Sequence, residues 1–279
     1  MSLRLLRGAP ALSAALRTSR VIDMGTADAF SRAHLPGALR SPLRGDLKSP
    51  DGLSPLSLPD AAHLFSALSL HASQPALVYD SGEALPAARL AWILRYYGHP
   101  DVAVLDGGFG AYLECGGAVP QPCTAYAAAP APAAPAAPLL APTPQPELLA
   151  RAQDVLAALH TAGGAQLLDA RSPAEFCGAS AHGLPRAGHI PGALNVPFAD
   201  CLAPGMRRYL PQPQLQAMLS ARGVDLGRPA IVLCLAGVRA SVLLTALHAA
   251  GAPSAGVRLY DGSMAEWSQD PSLPIQSSA

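Results

Sequence analysis

The residues best equipped for chemistry are Cys234 and Arg239, in the stretch Ile231-Val232-Leu233-Cys234-Leu235-Ala236-Gly237-Val238-Arg239-Ala240-Ser241. Pro229 to Leu233 is a short apolar run with β-branched residues, which predicts a buried strand. From Ala240 onward the pattern Ala-Ser-Val-Leu-Leu-Thr-Ala-Leu-His-Ala-Ala predicts a buried helix that stops at Gly251 as its C-cap. The cysteine therefore falls in a glycine-containing loop between a strand end and a helix start. Backbone N–H groups converge there, above the positive end of a helix dipole. Such a bowl stabilises an anion and favours the thiolate, the nucleophilic form of a cysteine. Arg239, at the helix entrance, adds a fixed charge and a fork of donors for an anionic substrate. Cys234 is thus the candidate catalytic residue, and Leu235, Ala236, Gly237, Val238, Arg239 and Ala240 are the candidate substrate-binding loop. The competing reading of this loop, taken alone, is a buried structural cysteine.

The elements that must position this loop follow from the rest of the chain. Short strand patterns alternate with helix patterns, which predicts α/β units around a mainly parallel sheet. Val21–Asp23, Ala76–Tyr79 and Val102–Leu105 are candidate strands of the first half, and Pro86 to Tyr97 reads as a helix ended by Gly98. After a helical stretch from Leu148 to Leu159, Gln166–Asp169 is a further strand. Residues 121–146 are an Ala/Pro tract without periodicity, the composition of an extended linker between domains 1–120 and 147–279.

Composition narrows the function. The chain has 279 residues, with 19 basic and 19 acidic groups and no basic block, which argues against nucleic-acid and membrane-surface partners. Cys115, Cys123, Cys177, Cys201 and Cys234 include no C-x-x-C pair and no zinc spacing, so they read as free thiols of a reducing, cytoplasmic compartment, with no metal site. No apolar run approaches the ~20 residues of a membrane span. Met1 to Arg20 holds four arginines and no acid, which suits a mitochondrial presequence and hence the matrix. The strand-like Val21-Ile22-Asp23 directly after it favours the alternative, that Leu12 to Arg20 is the entry helix of the first domain.

The two halves repeat. His34-Leu35-Pro36-Gly37-Ala38-Leu39 matches His189-Ile190-Pro191-Gly192-Ala193-Leu194, and Leu105-Asp106-Gly107-Gly108-Phe109 matches Tyr260-Asp261-Gly262-Ser263-Met264, with Tyr112 and Trp267 placed alike. The strand ending at Asp80 corresponds to the strand ending at Cys234. The offsets are 155 (189 − 34), 154 (234 − 80) and 155 (261 − 106), so register holds across three separate anchors. At the position of Cys234 the first copy carries Asp80, followed by Ser81-Gly82-Glu83-Ala84, whose acids would repel an anion.

On these residues the chain resembles the tandem-domain rhodanese family of thiosulfate and 3-mercaptopyruvate sulfurtransferases, from about Val21 to Pro274. The resemblance is carried by Asp169-Ala170-Arg171-Ser172 with Glu175-Phe176, Gly188-His189-Ile190-Pro191-Gly192-Ala193, the Cys234 loop, and Tyr260-Asp261-Gly262-Ser263 with Trp267. It implies two tandem rhodanese-like domains, each a mainly parallel sheet flanked by helices, the first non-catalytic with Asp80 in place of the cysteine and the second catalytic. It implies a ping-pong reaction without cofactor: the Cys234 thiolate takes a sulfur from a small anionic donor and passes the persulfide to cyanide, a thiol or a carrier protein.

Within that family the donor is less sharply indicated. The thiosulfate branch commonly has basic residues after the cysteine, where Leu235 and Ala236 are neutral. The mercaptopyruvate branch has a serine there for proton transfer, and two arginines that grip the substrate carboxylate. Glu175 stands at the first arginine position and Ala181-His182 near the second, with Arg186 a few residues on as a substitute. Glu175 together with Arg239 favours thiosulfate, with mercaptopyruvate next. Arg171 either binds substrate or pairs with Asp169 or Glu175, the commoner role of a loop arginine. His34 and His189 are expected to bond their Pro-Gly turns or a carboxylate, Asp106 and Asp261 to form turns, Trp267 and Tyr112 to fill the core, and Cys177 and Cys201 to be spare thiols. Two other readings stand beside the enzyme: a persulfide carrier loaded by a protein partner, and a cysteine phosphatase. Phosphatases related to this fold need a loop one residue longer than the six residues from Cys234 to Arg239.

Overall fold

The computed structural model of the chain describes residues 2–43, 45–117, 138–161, 163–205 and 208–277. It divides into two compact units, Met1–Leu47 with Leu56–Pro144 and Pro204–Tyr209, and Lys48–Pro55 with Gln145–Ala203 and Leu210–Ala279. These differ from the contiguous ranges 1–120 and 147–279, because each unit takes in a short segment from the other half of the sequence. In the first, the Asp106 carboxylate accepts the Tyr209 amide at 2.8 Å. In the second, Lys48 donates to the Asp261 carbonyl at 2.9 Å. Of the expected linker, residues 121–137 lie outside the described residues; residues 138–145 run without helix or strand to a 3-10 turn at Pro146–Leu148.

The first unit runs β1 (Ser2–Leu6), α1 (Ala9–Thr18), β2 (Arg20–Asp23), α2 (Ala27–Arg32), β3 (Leu39–Arg40), α3 (Leu58–Ala67), β4 (Ala76–Tyr79), α4 (Leu85–Tyr96), β5 (Asp101–Leu105) and α5 (Gly108–Glu114). The second runs β6 (Leu149–Ala150), α6 (Ala152–His160), β7 (Gln166–Asp169), α7 (Pro173–Cys177), β8 (Leu194–Asn195), α8 (Gln212–Ala221), β9 (Ala230–Leu233), α9 (Val238–Ala250), β10 (Val257–Tyr260) and α10 (Ser263–Trp267). Both sheets have five parallel strands, in the orders β1-β5-β4-β2-β3 and β6-β10-β9-β7-β8. One order becomes the other by adding five to each label, so the sequence duplication is a duplication of topology.

Parallel strands joined by helical crossovers are covered on both faces, and the side chains show it. Val21, Leu77, Tyr79, Ala103 and Leu105 alternate along their strands onto one face, where they pack with Leu12, Ala111 and Tyr112. In the second unit Leu167, Ile231, Leu233 and Tyr260 do the same against Val155, Met264 and Trp267. Trp267 is fully buried, and its indole N–H donates to the Pro274 carbonyl at 2.8 Å. Both expected core aromatics, Tyr112 and Trp267, lie in these clusters.

The expected entry helix is α1, but β1 precedes it and pairs with β5, Leu3 beside Val102 and Leu5 beside Val104. The segment weighed as a presequence is thus an edge strand and a helix of the first unit. In the second unit β9 lies between β10 and β7, with Val232 opposite Leu259 and Leu233 opposite Asp169. The carboxyl ends of three strands therefore open side by side, the place where parallel sheets bind ligands.

Candidate active site

Cys234 is the first residue beyond β9, and only 1% of it is exposed. Its backbone is fixed by the turn after β10. The Cys234 amide donates to Ser263 Oγ at 3.1 Å, Ser263 Oγ donates to the Tyr260 carbonyl at 2.7 Å, and the Met264 amide donates to the Cys234 carbonyl at 3.2 Å. The Ala265 amide likewise donates to the Leu235 carbonyl at 2.9 Å. Ser263 accepts a left-handed backbone, φ +52°, which costs of order 1 kcal/mol in a non-glycine residue. Its counterpart 155 residues earlier, Gly108, has φ +57° and no hydroxyl to offer. The serine keeps the strained turn and gains the oxygen that anchors Cys234.

Gly237 caps α9 at φ +82°, and the first amide to bond back along the chain is that of Ser241, to the Gly237 carbonyl at 3.1 Å. The amides of residues 235 to 240 have no acceptor among the described residues, as the first turn of a helix requires. The first unit has a corresponding loop, one residue longer between its strand and its helix. There the Asp80 carboxylate, at the end of β4, accepts the amides of Gly82 at 2.8 Å, Glu83 at 3.0 Å and Ala87 at 3.2 Å. Burial pushes this carboxyl up, against the pull of those amide bonds. The Phe109 amide donates to the Asp80 carbonyl at 2.9 Å, the counterpart of the Met264 bond to Cys234. In one loop a carboxyl takes three amides; in the other a buried cysteine precedes amides that have no acceptor among the described residues.

The arginines divide. Arg239 makes a two-pronged ion pair with Glu175, at 2.7 and 2.8 Å. Burial opposes the Arg239 charge, but the bond to Glu175 and the charges of Glu175 and Asp169 hold it above its usual value. Arg239 is therefore partly neutralised by a neighbour 64 residues earlier in the sequence. Glu175 is the third residue of α7 and completes a capping box with Ser172, whose hydroxyl donates to it at 2.8 Å. Burial raises the Glu175 carboxyl, yet the bonds from Arg239 and Ser172 and the Arg239 charge outweigh it and hold it at about 2. A carboxyl lowered on folding stabilises the fold above its unfolded value and loses that contribution as pH falls through its folded value. The stability advantage of the wild type over Glu175→Gln is accordingly expected at neutral pH and expected to vanish between about 4.5 and about 2, read by urea melts across that range.

Arg171 and Arg186, the other expected substrate-binding residues, have partners within the second unit. Arg171 is 1% exposed, binds the buried Asp169 carboxylate at 2.7, 3.0 and 3.1 Å, and donates to the Gly188 carbonyl at 2.8 Å. Arg186 gives its donors to the carbonyls of Trp267 (3.0 Å), Ser268 (3.0 Å), Leu273 (2.9 Å) and Asp270, and so ties down the segment after α10. Both guanidinium groups are committed to the frame. His34 and His189 turn Nδ1 toward a helical carbonyl, Phe30 at 2.9 Å and Phe176 at 2.8 Å, and each ring stacks on that phenylalanine. Asp106 and Asp261 are ion-pair acceptors rather than simple turn formers, Asp106 with Arg7 at 2.6 Å and Asp261 with Lys48 at 3.3 Å. No sequence signal pointed to Lys48. Among the described residues Cys115, Cys177, Cys201 and Cys234 are free thiols, no His/Cys/Asp/Glu group could hold a metal ion, and no helix is long and apolar enough to cross a membrane. Cys123 lies outside the described residues. Burial pushes the Cys201 thiol up to about 12, which leaves it unreactive.

A family model described as Rhodanese-like domain matches the chain twice, at residues 9–115 and 152–270. The 3-mercaptopyruvate sulfurtransferase of Escherichia coli strain K12 is 33% identical over 271 residues, covering 91% of this chain and 87% of the relative. The thiosulfate sulfurtransferase of Bos taurus is 32% identical over 264 residues, covering 89% of this chain and 84% of the relative. Among solved structures, SseA from Escherichia coli, a 3-mercaptopyruvate sulfotransferase with the rhodanese fold, superposes with a TM-score of 0.73 at 28% identity, covering 93% of this chain and 98% of that one.

Proposed function

Since the chain belongs to the rhodanese family, we propose that its second unit carries a sulfane sulfur on Cys234, with thiosulfate as the favoured donor and cyanide or a thiol as acceptor. The chain is a sulfurtransferase, in keeping with its relatives; the carrier residue, the donor and the chemistry are the proposal. One observation carries it. The amides of residues 235 to 240, directly after Cys234, have no acceptor among the described residues, whereas in the corresponding loop of the first unit the Asp80 carboxylate accepts three amides. A cysteine persulfide, like an aspartate, ends in a negative charge two atoms beyond Cβ. It is the anion the open loop fits.

The Cys234 thiolate attacks the outer sulfur of thiosulfate; the S–S bond breaks, sulfite leaves with its electron pair, and the sulfur stays as Cys–S–S⁻. Cyanide then takes that outer sulfur as thiocyanate and returns the thiolate. Sulfite leaves as a stable anion and needs no proton. Mercaptopyruvate would leave as a carbanion equivalent that must be protonated, and Leu235, Ala236, Gly237, Val238 and Ala240 offer neither hydroxyl nor acid. The commitment of Arg171 and Arg186 to carbonyls and to Asp169 leaves neither to clamp a substrate carboxylate. The pairing of Arg239 with Glu175 weighs against the phosphatase reading, which needs that fork turned toward phosphate.

The test is a mass spectrum of reduced protein incubated with thiosulfate, and separately with 3-mercaptopyruvate, beside Cys234→Ser. A gain of about 32 Da, one sulfur, is expected from thiosulfate in the wild type and none in the variant. Loading of Cys234→Ser would move the carrier elsewhere, and loading by neither donor would leave a protein donor as the source of sulfur.

A further inference from the structure

We propose that Lys48 is a positioning residue of the Cys234 site: its ammonium pins and neutralises the Asp261 carboxylate beneath the loop, so that an incoming anion meets open amides and not an opposing charge. This rests on the reading of the Cys234 loop as an anion bowl. Asp261 opens the turn that supplies Ser263, Met264 and Ala265 to the backbone of Cys234 and Leu235. Its Oδ1 lies 2.0 Å from where a Cβ on Gly237 would stand, so the carboxylate is pressed against the backbone of the loop itself. A bare carboxylate there would repel the very anion the loop amides attract.

Lys48 answers that charge. Its Nζ is 3.3 Å from Asp261 Oδ2 and 2.9 Å from the Asp261 carbonyl, with side-chain exposures of 6% for the lysine and 1% for the aspartate. With water excluded from the pair, the compensation is local and weakly screened. The first unit supplies a comparison. Asp106, the counterpart of Asp261, is met by Arg7 at 2.6 Å, but the Arg7 side chain is 39% exposed, and that loop is already filled by Asp80. Arg7 and Lys48 are 41 positions apart (48 − 7), not 155, so the two cations do not descend from one position of the repeat. A cation on this aspartate has been supplied twice, and it is buried only where the loop is open.

The experiment compares alkylation of Cys234 by iodoacetate, an anion, and by iodoacetamide, its neutral counterpart, followed on the Cys234-bearing peptide by mass spectrometry. It needs no sulfur donor, so it fails or succeeds independently of the sulfur-transfer reading. Lys48→Met is expected to lower the iodoacetate-to-iodoacetamide rate ratio about fivefold, an effect in the range of one uncompensated charge near a partly buried site. Lys48→Arg is expected to keep the wild-type ratio, and Lys48→Met with Asp261→Asn to restore it. An unchanged ratio in Lys48→Met, or a double variant as low as the single, overturns the proposal. If Lys48→Met does not fold, Asp261→Asn alone decides: the ratio should rise above wild type, and no rise overturns the proposal.

Discussion

Gly237→Ala is expected to lower the rate of persulfide formation about 10²-fold, the penalty for misplacing reacting groups by about 1 Å. The substitution meets two obstacles at once. Gly237 has φ +82°, a left-handed conformation that a side chain disfavours by roughly 1 kcal/mol. The new methyl would also stand 2.0 Å from Asp261 Oδ1 and 3.1 Å from its Cγ. Asp261 cannot swing aside, because Lys48 holds both its carboxylate and its carbonyl. The loop must move instead, and with it the amides of residues 235 to 240. The α9 helix beyond is anchored by its buried Val242, Leu243, Leu244 and Leu247, so the fold should survive and the damage should fall on catalysis. Stopped-flow loading with thiosulfate alongside a thermal melt separates the two. Loading at the wild-type rate by a stably folded Gly237→Ala protein would mean that the loop amides are not what receives the sulfur.

The loop was legible because strand, glycine and helix signals lie next to one another in the chain. The observed β9 and α9, Ala230–Leu233 and Val238–Ala250, fall within two residues of their expected limits. The duplication was legible for the same reason: each anchor is a short contiguous motif. What stayed hidden depends on partners far apart in sequence. Arg239 and Glu175 were each visible, but the bond between residues 64 apart was not. Lys48 gave no sign, since its meaning lies wholly in Asp261, 213 residues on. Arg186 carries no mark in the sequence of whether carbonyls or a substrate will claim it; its donation to the carbonyls of Trp267, Ser268 and Leu273 depends on a segment more than 80 residues on. The edge strand β1 escaped for a different reason. Ser-Leu-Arg-Leu-Leu alternates only weakly, and its arginine resembles that of a targeting segment until β5 is beside it.

Arg171→Met is expected to cost the second unit about 3–5 kcal/mol of stability, the range for breaking a buried ion pair from one side. Asp169 is fully buried at the end of β7, and its carboxylate takes three bonds from the Arg171 guanidinium and one from the Arg171 amide at 2.9 Å. Methionine keeps the apolar stem of the side chain and removes every charged donor, so the buried carboxylate is left with the single Arg171 amide bond. The Gly188 carbonyl loses its partner as well. Adding Asp169→Asn to Arg171→Met removes the stranded charge, and the double variant should recover a large part of the loss, a coupling of the kind that neighbouring residues show. Urea melts of the wild type, both single variants and the double variant read that coupling directly. The same proteins also decide between the two roles weighed for Arg171. A frame residue should leave the KM for thiosulfate nearly unchanged in whatever fraction remains folded, because its guanidinium is held by Asp169 and Gly188. A KM raised tenfold or more in a protein that still melts cooperatively would return Arg171 to the substrate-binding set, and would mean that its contacts with Asp169 and Gly188 give way when the anion enters.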